Sequence, residues 1–169
     1  MKKVPLLFCS CLAGIALVIN SCKKDNLSHI PDLFVGNWQL ASLTVTNYIG
    51  DTQVSLDTLN QTCQKTQIFA FSADNSCGYA RFQCGDDSVK GRWSLTQNKL
   101  FLVSDMVCKD STKASGGSSK PFENAKIVTL GNYGLVLETG DVQPNYSATK
   151  KRRIMRYGFV RMKKTTTTQ

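Results

Sequence analysis

The chain has 169 residues and a formal net charge of +9, from 21 Lys and Arg against 12 Asp and Glu, with a single histidine. That length suits one domain with an ordinary core, and one histidine, at position 29, leaves the rest of the chain without a Ser-His-Asp or Cys-His unit. The charge is local: Lys150, Lys151, Arg152, Arg153, Arg156, Arg161, Lys163 and Lys164 all fall in the last twenty positions, where no acid occurs, and the stretch from Cys22 to Thr149 is close to neutral.

The first element is a leader. Lys2 and Lys3 precede an apolar run from Val4 to Ile19 and the short stretch Asn20-Ser21, the three-part plan of a secretory signal. The run of 16 residues falls just short of the ~17 to 25 that span a bilayer, which favours a cleaved leader over a retained membrane helix. Ile19-Asn20-Ser21-Cys22 resembles the bacterial lipobox. That resemblance implies cleavage before Cys22, a diacylglycerol on its thiol and acylation of the new amine, so that residues 1–21 are a signal peptide and 22–33 a lipidated tether. Two or three acyl chains make such an anchor practically permanent. The implied location is the envelope of a Gram-negative bacterium, on the outer membrane, where nucleic acid is out of reach and the remaining cysteines meet oxidising conditions.

Beyond the tether the pattern alternates with period two and is cut by turns. Gly36 to Val45 is a first strand, with Trp38, Leu40 and Ser42 on one face, and residues 47–62 are polar and predict a loop. Lys65–Phe71, Tyr79–Cys84, Lys90–Leu95 and Leu100–Cys108 follow as strands, separated by Ser72-Ala73-Asp74-Asn75, Gly85-Asp86-Asp87 and Thr96-Gln97-Asn98. Ser111 to Pro121, with Gly116-Gly117-Ser118-Ser119, predicts a flexible excursion before the last three strands at Asn124–Leu130, Gly134–Thr139 and Arg152–Met162. Leu27 to Val35 is the one segment open to a short helical cap. Eight consecutive strands with tight turns predict an all-β, antiparallel up-and-down barrel over residues 34–163, since closure hides the sheet edges; an open β-sandwich is the alternative. Residues 164–169 read as a disordered tail.

Several runs carry a family resemblance. Gly36-Asn37-Trp38, Phe69-Ala70-Phe71-Ser72-Ala73-Asp74-Asn75, Gly91-Arg92-Trp93-Ser94-Leu95 with Asn98-Lys99-Leu100-Phe101-Leu102, and Tyr157-Gly158-Phe159-Val160-Arg161 resemble, in order and spacing, bacterial lipocalin-like lipoprotein domains. The resemblance implies that Trp38 closes the barrel floor against a basic residue of the last strand, Arg161 in preference to Arg156, as a cation-π contact with a structural role. The C-terminal helix of lipocalins has no counterpart in this sequence.

Of the cysteines after Cys22, the strand directions place Cys63, Cys84 and Cys108 at one mouth and Cys77 at the opposite rim, so Cys63 with Cys84 is the easiest bridge, and Cys77 and Cys108 are too far apart for a second. No Cys-x-x-Cys or His-x-His spacing suggests a metal, and no cofactor motif is present. Asp86-Asp87, adjacent in a turn, suits turn formation better than acid-base work, and an enzyme is not expected. Two functions remain. One is binding of a small apolar or amphipathic molecule inside the barrel, lined by Phe69, Phe71, Tyr79, Phe82, Trp93 and Phe101, with Leu135 and Leu137 behind them. The other is a protein-interaction or envelope-structural role with a filled barrel, in which loops 47–62 and 109–121 meet an envelope partner.

Overall fold

The structure is a computed structural model that describes residues 29–59, 64–85, 87–110 and 117–163. Residues 1–28, which hold the leader, Cys22 and the first part of the tether, as well as Cys63 and the tail 164–169, lie outside the described residues. The chain opens with a one-turn helix, α1 (Ile30–Phe34), started by Pro31, whose fixed φ suits the first helical turn. Eleven strands follow: β1 (Gly36–Ile49), β2 (Thr52–Thr58), β3 (Ile68–Phe71), β4 (Ser76–Ala80), β5 (Ser88–Leu95), β6 (Phe101–Ser104), β7 (Cys108–Asp110), β8 (Gly117–Ser119), β9 (Ala125–Leu130), β10 (Gly134–Gly140) and β11 (Lys151–Arg161).

Eight of these close on themselves. The order β11-β10-β9-β6-β5-β4-β3-β1 is antiparallel throughout, and β1 returns to β11 in a long register from Trp38 opposite Arg161 to Ile49 opposite Lys151. The fold is therefore the expected closed eight-stranded up-and-down barrel, with β2 as an extra strand on β1, and the alternative of an open sandwich is ruled out. Two unequal ends result. At the floor, where β1 starts and β11 finishes, the connections are the tight turns 72–75, 96–100 and 131–133; at the mouth they are long.

Inward positions follow strand alternation. Phe69 and Phe71, Cys77 and Tyr79, Leu102 and Ser104, Leu135 and Leu137, and Tyr157 and Phe159 are all buried on their strands. In β1 the parity switches. Trp38 and Leu40 point in, then Leu43 and Val45 do, because a bulge between Leu40 and Ser42 inserts Ala41 as an extra residue in the register with β11. Ser42 is therefore exposed, against the expectation that it shares the face of Trp38 and Leu40.

The strand boundaries correct the sequence reading in four places. Residues 47–62 are not a plain loop: β1 runs on to Ile49 and β2 returns along it as a hairpin. The third barrel strand is Ser76–Ala80 rather than Tyr79–Cys84, because Arg81 takes a left-handed conformation (φ 63°) and Phe82–Cys84 coils into a 3-10 turn. The fifth ends at Ser104, where Asp105 turns back over β5: its carboxylate accepts from the Arg92 backbone N–H at 2.5 Å, and a side chain at Gly91 would collide with it. Within the predicted excursion, Gly117–Ser119 forms a strand that pairs with Cys108–Asp110.

Candidate functional site

Ring packing occupies the barrel. Near the floor, Phe34 of α1 stacks on Trp93 at 5.2 Å and meets Phe71 edge-on at 4.7 Å. Above them Phe69 contacts Tyr79, Phe82, Phe122 and Phe159 at 5.3 to 5.9 Å between ring centres, and Phe122 contacts Tyr157 at 5.0 Å. Phe82, Met106, Cys108 and Phe122 belong to the mouth connections, yet all are buried, so the mouth loops fold side chains down into the core. Of the six expected ligand residues, Phe69, Phe71, Tyr79, Phe82 and Trp93 are brought together in this way and lie against one another. Phe101 is set apart: β6 turns Leu102 and Ser104 inward, which leaves Phe101 half-buried on the other face.

The floor is closed by Trp38 and Arg161. The Trp38 indole N–H donates to the Phe34 carbonyl at 2.9 Å, and the Arg161 guanidinium lies 4.2 Å from the centre of the Trp38 ring. That guanidinium also donates to the carbonyls of Val35 (2.7 Å) and Leu33, so it fastens α1 by its exposed C-terminal carbonyls. Burial lowers its pKa from the usual arginine value. Arg156, the other arginine in that strand considered for the role, has the opposite parity; it points outward and pairs with Glu138 at 3.6 Å.

Cys84 is disulfide-bonded, to a partner outside the described residues, while Cys77 and Cys108 are buried free thiols. Cys77 is not at a rim remote from Cys108. Barrel stagger sets Cys77 opposite Gly91 and Ser104 opposite Trp93, which brings the Cys77 sulfur to 3.2 Å from the Ser104 hydroxyl, four residues before Cys108. Burial, with added repulsion from Asp87 and Cys77, pushes the Cys108 thiol up to about 12; burial likewise raises Cys77. Both thiols are therefore protonated and unreactive in the fold.

A site that sequence patterns did not single out lies above the mouth. β1 and β11 outrun their neighbours, so their inward face continues past the barrel with no strand opposite among the described residues. Asn47 and Ile49 on β1, opposite Arg153 and Lys151 on β11, line a groove of about 420 Å³ there, walled by Val54 and Asp141. Its apolar members are open to solvent, Ile49 at 43% and Val54 at 59%. Lys151 and Arg153 are exposed and form no ion pair among the described residues.

The rim of that groove is tied tightly. On the outer face Arg152 lies 3.5 Å from the centre of the Tyr146 ring and 5.1 Å from that of Tyr48, and donates to the Gly50 carbonyl at 2.9 Å. The Tyr146 hydroxyl donates to Asp51, which raises the phenol pKa above its usual value. Gly50 has φ 57° and its N–H donates to the Lys150 carbonyl; a side chain there would strike the Ala148 carbonyl. Connection 141–150 is thus laced to the β1–β2 turn, and of the C-terminal basic residues Arg152, Arg156 and Arg161 have partners within the fold, whereas Lys151 and Arg153 line the groove.

The chain matches no protein-family model, no curated protein and no solved structure.

Proposed function

We propose that the chain is an exported lipoprotein, anchored to a membrane through Cys22, whose barrel carries a binding site for a small amphipathic molecule with an anionic head. The leader Met1–Ser21 and the Ile19-Asn20-Ser21-Cys22 motif support the anchor. The groove supports the ligand class: Ile49 and Val54 offer an apolar wall, and Lys151 and Arg153 offer two cations that form no ion pair among the described residues. Packed rings inside the barrel support placing the ligand at the mouth and not in the interior, where the sequence alone suggested it. A tied rim favours binding because little order has to be imposed when the ligand arrives.

Both parts are open to test. Cys22→Ser should release the protein from membranes and abolish labelling by radioactive palmitate. Titration of the full chain in non-ionic detergent with a fluorescent long-chain carboxylate should saturate, and Lys151→Glu with Arg153→Glu should weaken it at least tenfold, about 1.4 kcal/mol. Retention of the label by Cys22→Ser sinks the anchor; equal binding by the double variant sinks the groove.

A further inference from the structure

The chain enters the fold at the floor. Ile30, where α1 starts, lies eight residues after Cys22, and eight residues reach at most ~29 Å when fully extended. From there α1 lies against the floor, with Phe34 buried and the Leu33 and Val35 carbonyls held by Arg161. β11, eleven residues at ~3.3 Å each and tilted as barrel strands are, rises ~28 Å from floor to mouth. A protein held at Cys22 therefore keeps its floor close to the bilayer with tether length to spare. Its mouth can come there only with the tether drawn out to its limit.

The outer surface of the floor suits that neighbour. A cavity of about 730 Å³ opens there, lined by Asp32 in the first turn of α1 together with Tyr133, Met162 and Lys163. Tyr133, in the β9–β10 turn, is 80% exposed, although its carbonyl is fixed by the Arg161 backbone N–H at 2.9 Å. The β5–β6 turn stands beside it, because β6 pairs with β9, and presents Leu100 at 54% exposure. An amphipathic ring and a branched apolar side chain at the tips of two adjoining hairpins fit the bilayer interface, where tyrosine sits at headgroup level. Lys99 and Lys163 lie at the same end, and Asp32 and Asp74 offset their charge, so the apolar side chains carry the contact.

We infer that the floor docks on the lipid surface, with Tyr133 and Leu100 in the headgroup region, the barrel raised on end and the mouth groove ~28 Å above the membrane. This docking rests on the anchor at Cys22 proposed above, because so few apolar side chains hold a barrel at a bilayer only when a tether keeps it there. It does not depend on what the groove binds.

The test uses the full chain, made with its leader in a bacterial host and reconstituted from detergent into vesicles of phosphatidylethanolamine and phosphatidylglycerol that carry nitroxide-labelled lipid. Cys77 and Cys108 are buried, so a nitrobenzoxadiazole fluorophore can be directed to Asn132→Cys, an exposed position beside Tyr133, or to Gln53→Cys on β2, with the labelled parent chain as background. The lipid nitroxide should quench the fluorophore at 132 and spare it at 53. Adding Tyr133→Asp and Leu100→Asp, both at exposed positions, should bring quenching at 132 down to the level at 53. Flotation of the same vesicles reads the anchor separately. If the chain floats but quenching is equal at the two positions, greater at 53, or undiminished by the two aspartates, the floor docking is overturned and the anchor stands. A chain that does not float overturns both.

Discussion

The two ends of the barrel are closed by different means. At the floor a single turn of helix, α1, is held by Phe34 in the core, by the Trp38 indole on its carbonyl and by Arg161 on two more carbonyls. Among the described residues no α-helix crosses the mouth. Its connections instead dip Phe82, Met106 and Phe122 into the core, and the long strands β1 and β11 leave part of their inward face bare. The floor residues are spent on stability. The mouth keeps stability inside, in the rings, and leaves cations and apolar side chains outside, on the groove.

That contrast can be broken at the floor first. Trp38→Ala removes a fully buried ring together with the partner of Arg161, and should cost about 3 to 5 kcal/mol, measured by denaturant unfolding. Arg161→Ala should cost less, about 1 to 3 kcal/mol, by leaving the Leu33 and Val35 carbonyls without their donor. Amide exchange should then rise in α1 and the start of β1 while the mouth stays protected. Equal loosening of both ends would show that they are not separate.

A pH series sharpens the mouth side. Cys108 has a folded-state pKa of about 12 against an ordinary thiol value of 9, so the folded chain holds its proton more tightly than the unfolded chain does. The stability this adds is complete below pH 9 and is lost as the pH climbs from 9 toward 12. The gap in unfolding free energy between the wild type and Cys108→Ala should therefore narrow over that window. A constant gap would mean that the thiol is not held neutral. The smallest global effect belongs to the rim: Arg152→Ala should shift Tm by less than about 3 °C, yet speed amide exchange in 141–150 about tenfold.

Much of the fold was legible in the sequence because barrel strands alternate and tight turns punctuate them. The turns at Ser72–Asn75 and Thr96–Asn98 set the ends of β3 and β5 correctly, and Trp38 and Arg161 were legible through the Gly-x-Trp resemblance. β2 was not legible. Its residues are exposed on both faces, so no core pattern marks it, and its partner is the second half of β1, where the bulge at Ala41 has already changed the parity. The rim was hidden for another reason. Tyr48, Asp51, Tyr146 and Arg152 meet across about a hundred residues of chain, and only closure of β1 onto β11 brings them together. Cys77 was misplaced because the sequence tells which strand a residue is on, but not the stagger between strands.

The extra residue at Ala41 has a consequence for how this chain can change length. With it present, the inward residues run Trp38, Leu40, Leu43, Val45. Without it, the remaining order Trp-Gln-Leu-Ser-Leu-Thr-Val alternates without a break, and the same four side chains still face inward. Deleting one residue from the middle of a strand ordinarily turns everything beyond it inside out. Here the cut falls where the partner strand has already skipped a place, so a chain one residue shorter keeps its core and its pairing with β11, and homologous barrels of either length are compatible with one interior.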